Sequence, residues 1–250
     1  MGWVEDLFDG PYAGHSLELA EDSERNEREA AFIIGELGLE PDERVLDLAC
    51  GHGRHAMYIA PKVGSLLGID RTRAYLEYAT NWSQGLGLAN AEFVLGDMRE
   101  LDYEGEFDAA YNYFTAWGYW DDETNLDILR RVCHALKPGG RFLLEFIHRD
   151  ALMRRWSPKN WRQIDDALLL EESTFDFTTG RSINRRTYLR NNERHEILIE
   201  LYMPTADALM RLFAQAGFTA IRAVAAPTGE ALTYESFRMA VIGHRPADSQ

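Results

Sequence analysis

The chain has 250 residues, an apolar share of 46% and a formal charge of −15. That length fits one large domain or a domain with an insertion, and the apolar share is enough for a real core. The acidity ranks long nucleic acids well below small molecules as ligands, because phosphate backbones are held by basic surfaces. Arginines gather between Arg181 and Arg194, but glutamates are interleaved nearby. No apolar run reaches the roughly 18 residues of a membrane span. The start, Met1-Gly2-Trp3-Val4-Glu5-Asp6, lacks the basic-then-apolar order of a signal peptide. Cys50 and Cys133 suggest no disulfide framework, so a cytoplasmic protein is expected.

Ala30, Ile33, Ile34 and Leu37 repeat at helical spacing and predict a helix from Ser23, a cap residue, to Leu37. Val45 to Leu48 reads as a first strand and Ser65 to Ile69 as a second, ending at Asp70. Tyr75, Leu76, Tyr78, Ala79 and Trp82 form the apolar face of the helix that follows. Ala91 to Leu95 reads as a third strand and Phe107 to Tyr113 as a fourth. Asp122 can cap the next helix, which Lys137-Pro138-Gly139-Gly140 stops, and Arg141 to Ile147 is a fifth strand. Strands alternating with helices imply a doubly wound, Rossmann-like α/β sheet with its ligand at the carboxyl ends of the strands. After Ile147 the rhythm changes to three antiparallel strands near 168–177, 181–190 and 194–202. A helix from Thr205 to Ala216 and two last strands, about 218–225 and 236–243, finish the chain.

The candidate site starts at Asp47-Leu48-Ala49-Cys50-Gly51-His52-Gly53-Arg54-His55, where an apolar strand ends in a loop with two glycines. Glycine opens backbone angles closed to other residues and lets a ligand approach the main chain. Asp70, ending the second strand, can accept hydrogen bonds from both ribose hydroxyls of an adenosine, or can cap the helix that follows. Asp97 ends the third strand. It can accept from an adenine amino group with Met98 against the ring, or serve a turn. Arg54 can reach a ligand carboxylate or pair with an acidic residue at the surface. His52 and His55 read as loop and helix-surface histidines. No His/Cys/Asp cluster has the spacing of metal ligands, so no metal is expected.

In series these segments resemble the class I S-adenosylmethionine-dependent methyltransferases. Asp47 to Gly53 is similar to their first motif, Asp70 to the acidic residue of the second, and Asp97-Met98 to the adenine motif. Phe107-Asp108-Ala109-Ala110-Tyr111-Asn112 and Leu136-Lys137-Pro138-Gly139-Gly140-Arg141 are similar to the segments at strands four and five. The resemblance covers roughly Arg44 to Ile147. It implies a seven-stranded methyltransferase sheet with an inserted three-stranded antiparallel sheet after strand five. It implies S-adenosylmethionine as cofactor and S-adenosylhomocysteine as product. It places Asp47 near the methionine amino group and the Ala49, Gly51 and Gly53 backbone along the ligand. Arg54, Asp70, Arg71, Asp97, Met98 and Asn112 complete the cofactor contacts, with Tyr12 in an aromatic N-terminal segment suited to a lid. The expected organisation is a lid over 1–22, a cofactor-binding core over 23–147, a substrate-covering insertion over 148–203 and a completion of the core over 204–250. A dinucleotide-binding oxidoreductase would usually place a third glycine further along the helix, and none follows Gly53 here.

Methyl transfer is an in-line displacement in which protein groups supply alignment, desolvation and sometimes proton removal. Tyr113 and His148, just past strands four and five, are the candidate catalytic residues. The expected reaction is methyl transfer to an N or O atom of a small-molecule acceptor, with no membrane partner and with a homodimer compatible with the sequence. A sensor of S-adenosylmethionine or its demethylated product, and a methyltransferase acting on protein or RNA, are the alternatives.

Overall fold

The structure is a computed structural model that describes residues 3–8, 22–164, 166–191 and 193–248. A short helix α1 (Trp3–Phe8) precedes the core. The core then runs α2 (Ser23–Leu37), β1 (Arg44–Leu48), α3 (Ala56–Ile59), β2 (Ser65–Asp70), α4 (Arg73–Gly85), β3 (Ala91–Leu95), β4 (Phe107–Asn112), α5 (Asp122–Ala135) and β5 (Leu136–Ile147). Next come α6 (Arg149–Arg154), four strands β6 (Lys159–Ile164), β7 (Ala167–Asp176), β8 (Arg181–Arg190) and β9 (Glu193–Tyr202), then α7 (Ala206–Gln215), β10 (Thr219–Ala226) and β11 (Arg238–His244).

Seven strands form one sheet in the order β10-β11-β5-β4-β1-β2-β3. β1 to β5 pair in parallel, while β11 runs antiparallel to both β5 and β10. The chain leaves β1 towards β2 on one side and later returns to β4 on the other. That reversal opens a crevice beyond the carboxyl ends of β1 and β4. The central strands β1, β2 and β4 are buried on both faces and so read as nearly continuous buried runs rather than alternating ones. Leu46, Ala110, Phe142 and Leu144 face α5 and α7, where Leu129, Val132 and Phe213 are fully buried. Val45, Ala109, Tyr111 and Leu143 face α2, where Ile33 and Leu37 meet them. Each buried Val, Leu, Ile or Phe among them contributes about 1.5–3 kcal/mol relative to exposure.

The helix over Ser23–Leu37 has the bounds the sequence suggests, but the N-caps of α2 and α5 fall one residue earlier. Asp22, not Ser23, accepts from the Arg25 N–H, and Asp121, not Asp122, accepts from Thr124. Both neighbours are cap-competent residues, so pattern alone does not choose between them.

The inserted sheet corrects the sequence reading in one respect: it has four strands, ordered β6-β7-β8-β9, not three. β6 pairs with β7 from Lys159↔Glu172 to Ile164↔Ala167. It is an edge strand whose side chains are mostly exposed, so no apolar alternation announces it. One face of this sheet packs Leu169, Tyr188, Ile197 and Ile199 against Leu7 of α1. α1 is thereby held between the second sheet and the crevice of the first.

Candidate active site

The crevice holds a cavity with an empty volume of about 1000 Å³, counting the space open to solvent at its mouth. One half is lined by Asp47, Ala49, Gly51, Arg54, Asp70, Arg71, Asp97 and Met98. The other half is lined by Val4, Phe8, Tyr113, Phe114, Ala116, Tyr119 and Trp120. The first half comes from the ends of β1, β2 and β3, the second from α1 and the segment after β4.

The glycine loop divides its work. Gly51 has φ 55° and nothing within 4 Å of where a Cβ would stand, so its backbone is open to a ligand. Gly53 has φ 77°, and a Cβ there would meet Ala79 Cβ and Met57 Cε at 3.0 Å. Gly53 does not line the cavity among the described residues. It lets the loop pack closely on α4. Ala49 also takes a left-handed backbone, φ 58°.

Asp47 is 2% exposed, and its Oδ2 has no hydrogen-bond partner. Burial pushes its carboxyl up to about 7. The nearby Asp70 charge adds to the rise, while the Tyr111 phenol and Arg54 oppose it. A buried carboxylate oxygen with no partner fits a ligand ammonium. Asp70 does not cap α4, whose N-cap is Thr72. Its Oδ1 accepts from the Thr72 N–H and its Oδ2 from the Gly51 N–H, each at 2.8 Å, which ties the end of β2 to the glycine loop. Each oxygen keeps a lone pair for a vicinal diol. Burial raises the Asp70 pKa against those backbone bonds.

Asp97 accepts from the Arg99 N–H at 2.9 Å and pairs with the Arg99 guanidinium at 2.6 Å, capping a single 3-10 turn over Met98–Glu100. Its pKa is lowered, because these bonds outweigh the opposing effect of burial. Met98 is buried beside it and lines the cavity. Asn112 lies deeper. Its Nδ2 donates to the Leu48 carbonyl at 2.9 Å, pinning β4 to β1 behind the cavity. Tyr12 lies outside the described residues.

Arg54 and His55 are more buried than the sequence suggests. Arg54 pairs not at the surface but with Glu29 of α2, Nη1 to Oε2 at 2.5 Å, and donates to Asn26 Oδ1 at 2.7 Å. Its Nη2 is buried without a partner, which fits a ligand carboxylate. His55 is 5% exposed, not a helix-surface residue. Its Nε2 lies 2.9 Å from the same Glu29 oxygen, and its ring meets Tyr113 edge-on at 4.8 Å. Burial, which raises the Glu29 pKa, is outweighed by His55, Arg54 and Arg25, so the group stays well below the usual carboxylate range. Burial and Arg54 hold His55 down at about 3, so the ring is neutral. With Glu29 ionised, Nε2 carries the proton. His52 is also buried, edge-on to Tyr75 and Tyr78. α2 covers His55 and α4 packs on His52, tertiary effects that local periodicity does not register.

The two catalytic candidates separate. Tyr113 lines the cavity, and burial with the Glu145 and Glu29 charges raises its pKa, so it remains a protonated phenol. His148 is buried outside the cavity lining, with Nδ1 2.9 Å from the Ser236 carbonyl. Arg149 and Asp150 form a 3.5 Å ion pair with each other, and His195 is exposed on β9. Among the described residues no group of His, Cys, Asp and Glu is arranged to hold a metal, and no helix is long and apolar enough to cross a membrane.

Residues 45–140 match the family model described as a methyltransferase domain. An uncharacterized methyltransferase of Synechocystis sp. is 29% identical over 133 residues, 53% of this chain and 60% of that protein. The chain spans about three-fifths of the length of the first curated relatives it matches. A solved S-adenosylmethionine-dependent methyltransferase from Clostridium acetobutylicum superposes with a TM-score of 0.75 at 17% identity, covering 88% of this chain and 92% of that one. The S-adenosylmethionine-bound amino pentose methyltransferase CalS10 from Micromonospora echinaspora gives 0.63 at 20% identity, covering 93% and 96%. The strand order and the motif residues gathered at one crevice agree with these likenesses: residues 45–140 are similar to a methyltransferase domain, and the fold is that of the solved S-adenosylmethionine-dependent methyltransferases.

Proposed function

We propose that this protein transfers the methyl group of S-adenosylmethionine to an N or O atom of a small-molecule acceptor. One observation carries the reading: a single cavity joins a half rich in cofactor-type polar groups to a half walled by aromatic side chains. The cofactor, when bound, supplies a sulfonium methyl with a good leaving group. The Asp47 carboxylate would hold its ammonium, Arg54 Nη2 its carboxylate, Asp70 the ribose hydroxyls, and Asp97 with Met98 the adenine.

Tyr113, Phe114, Tyr119 and Phe8 then exclude water from the transfer zone and align the acceptor. Tyr113, which keeps its proton, serves as a hydrogen-bond donor or steric guide rather than a base. The size of the cavity and its partial cover by α1 favour a small acceptor over a macromolecule. So does the fold likeness to CalS10, an amino pentose methyltransferase. The test is incubation with labelled methyl donor and a metabolite extract. The label is expected in a low-mass product. Label only in high-mass material would favour protein or RNA as acceptor. No transfer, with equal affinity for S-adenosylmethionine and S-adenosylhomocysteine, would favour a sensor.

A further inference from the structure

The aromatic wall begins with a backbone that does not hold itself. Phe114 and Thr115 follow β4 with φ 75° and 59°, two consecutive left-handed residues, neither of them glycine. L-residues with a Cβ avoid this region, and a consecutive pair persists only where the surroundings over-determine it.

The surroundings here are one buried ion pair. Glu145 of β5 is fully buried. Its Oε2 accepts from the Phe114 N–H at 2.7 Å and from Arg238 Nη2 at 2.6 Å, and its Oε1 accepts from Arg238 Nε. Arg238, at the start of β11, also donates from Nη2 to Thr115 Oγ1 at 2.6 Å, and its guanidinium lies 4.9 Å from the Phe114 ring centroid. Arg25 and Arg54 sit over the same ring at 5.0 Å each. The Thr115 carbonyl in turn accepts from the Tyr119 hydroxyl at 2.7 Å. Every hydrogen bond of the Glu145–Arg238 pair that reaches the turn ends on Phe114 or Thr115. Neither Glu145 nor Arg238 lines the cavity, whereas Tyr113, Phe114, Ala116 and Tyr119 do.

We propose that Arg238, acting through Glu145, is a positioning residue that latches the Phe114–Thr115 turn in its left-handed form and so sets the acceptor wall. The acceptor half of this statement rests on the function proposed above; the latch itself does not. Lysine cannot take over, because a point charge cannot make the paired contact with Glu145 and reach Thr115 as well. It does keep a charge beside Glu145, so Arg238→Lys is a better test than a neutral residue.

The experiment has three readouts on Arg238→Lys. Hydrogen exchange at the Phe114 N–H should speed at least tenfold. The Cys50 N–H, bonded to the Ile69 carbonyl, should exchange as before. The dissociation constant of S-adenosylhomocysteine should stay within twofold. For the low-mass product found with labelled donor, kcat/KM should fall at least tenfold, most of it in the acceptor's KM. Adding Thr115→Gly should restore much of both losses, since glycine adopts the left-handed backbone without a latch. Unchanged Phe114 exchange and acceptor KM would overturn the proposal. So would a parallel loss of S-adenosylhomocysteine binding and Cys50 protection, which marks general loosening, or no recovery on adding glycine. If the parent enzyme yields no methylated product, the function reading fails, and the exchange arm still decides whether Arg238 latches the turn.

Discussion

Replacing Asp47 by Asn separates the cost of a buried charge from its use. In the free protein a rise from 3.8 to about 7 corresponds to about 4 kcal/mol at roughly 1.36 kcal/mol per unit. The sign follows from proton counts: between about pH 4 and 7 the folded state keeps a proton that the unfolded state has lost. The Asp47 contribution to stability therefore falls as pH rises through this window, and its full penalty stands above pH 7. Asp47→Asn should stabilise the ligand-free protein at pH 8 by about 1–4 kcal/mol, and hardly at all at pH 4. A ligand ammonium beside the carboxylate reverses the cost and expels the proton. At pH 6, S-adenosylhomocysteine binding to the parent should release close to one proton more than binding to the variant. The assay is calorimetry in phosphate and in Tris, whose ionisation enthalpies differ, beside denaturant melts at both pH values. Equal proton release by parent and variant, with no stability gain at pH 8, would refute the assignment of Asp47.

Three further outcomes are expected. Asp70→Asn must turn its NH2 group towards either the Gly51 or the Thr72 N–H, so one buried donor is lost at a cost of about 1–3 kcal/mol. A lowered melting temperature and a dissociation constant for S-adenosylhomocysteine at least tenfold weaker would show it; unchanged affinity would reduce Asp70 to a structural tie between β2 and the glycine loop. Glu29→Gln leaves Arg54 buried without its counter-charge and should cost about 3–5 kcal/mol in denaturant melts. Because His55 is held at about 3 while free histidine titrates near 6.5, the unfolded state gains a proton first as pH falls. The His55 contribution to stability should thus decline from about pH 6.5 downwards, opposing that of Asp47 over the same window, and His55→Gln should remove that decline, so that the variant gains more stability on acidification than the parent in a pH series of melts. Tyr113→Phe should slow turnover with cofactor affinity nearly intact. His148→Ala, outside the cavity, should change turnover less than threefold in the same steady-state assay.

What the sequence reveals follows how local each constraint is. That the glycine loop, Asp70 and Asp97-Met98 gather at one cavity is legible because each stands at the carboxyl end of a parallel strand, and such ends meet at the crevice of a doubly wound sheet. Even there, pattern does not tell Gly51, open to the cavity, from Gly53, packed on α4. Arg54 meets Glu29 across 25 positions, and only the docking of α2 over the loop decides that pairing. His55 stands at the start of a short helix and looks like a surface residue until α2 covers it. Glu145 is hidden in the apolar run Phe142 to Ile147, and its partner Arg238 is 93 residues away. A single charge inside a buried strand was the available signal, since such a group requires a partner. β6 escaped because an exposed edge strand has no buried face to write an alternation.

The most direct test of the account is calorimetric titration of the full chain with S-adenosylmethionine, S-adenosylhomocysteine and NAD. The two methionine-derived nucleosides should bind at one site, weakened at least tenfold by Asp70→Asn, and NAD should give no heat. Binding of NAD without response to either nucleoside would contradict the assignment of the Asp47–Gly51–Asp70–Asp97 crevice.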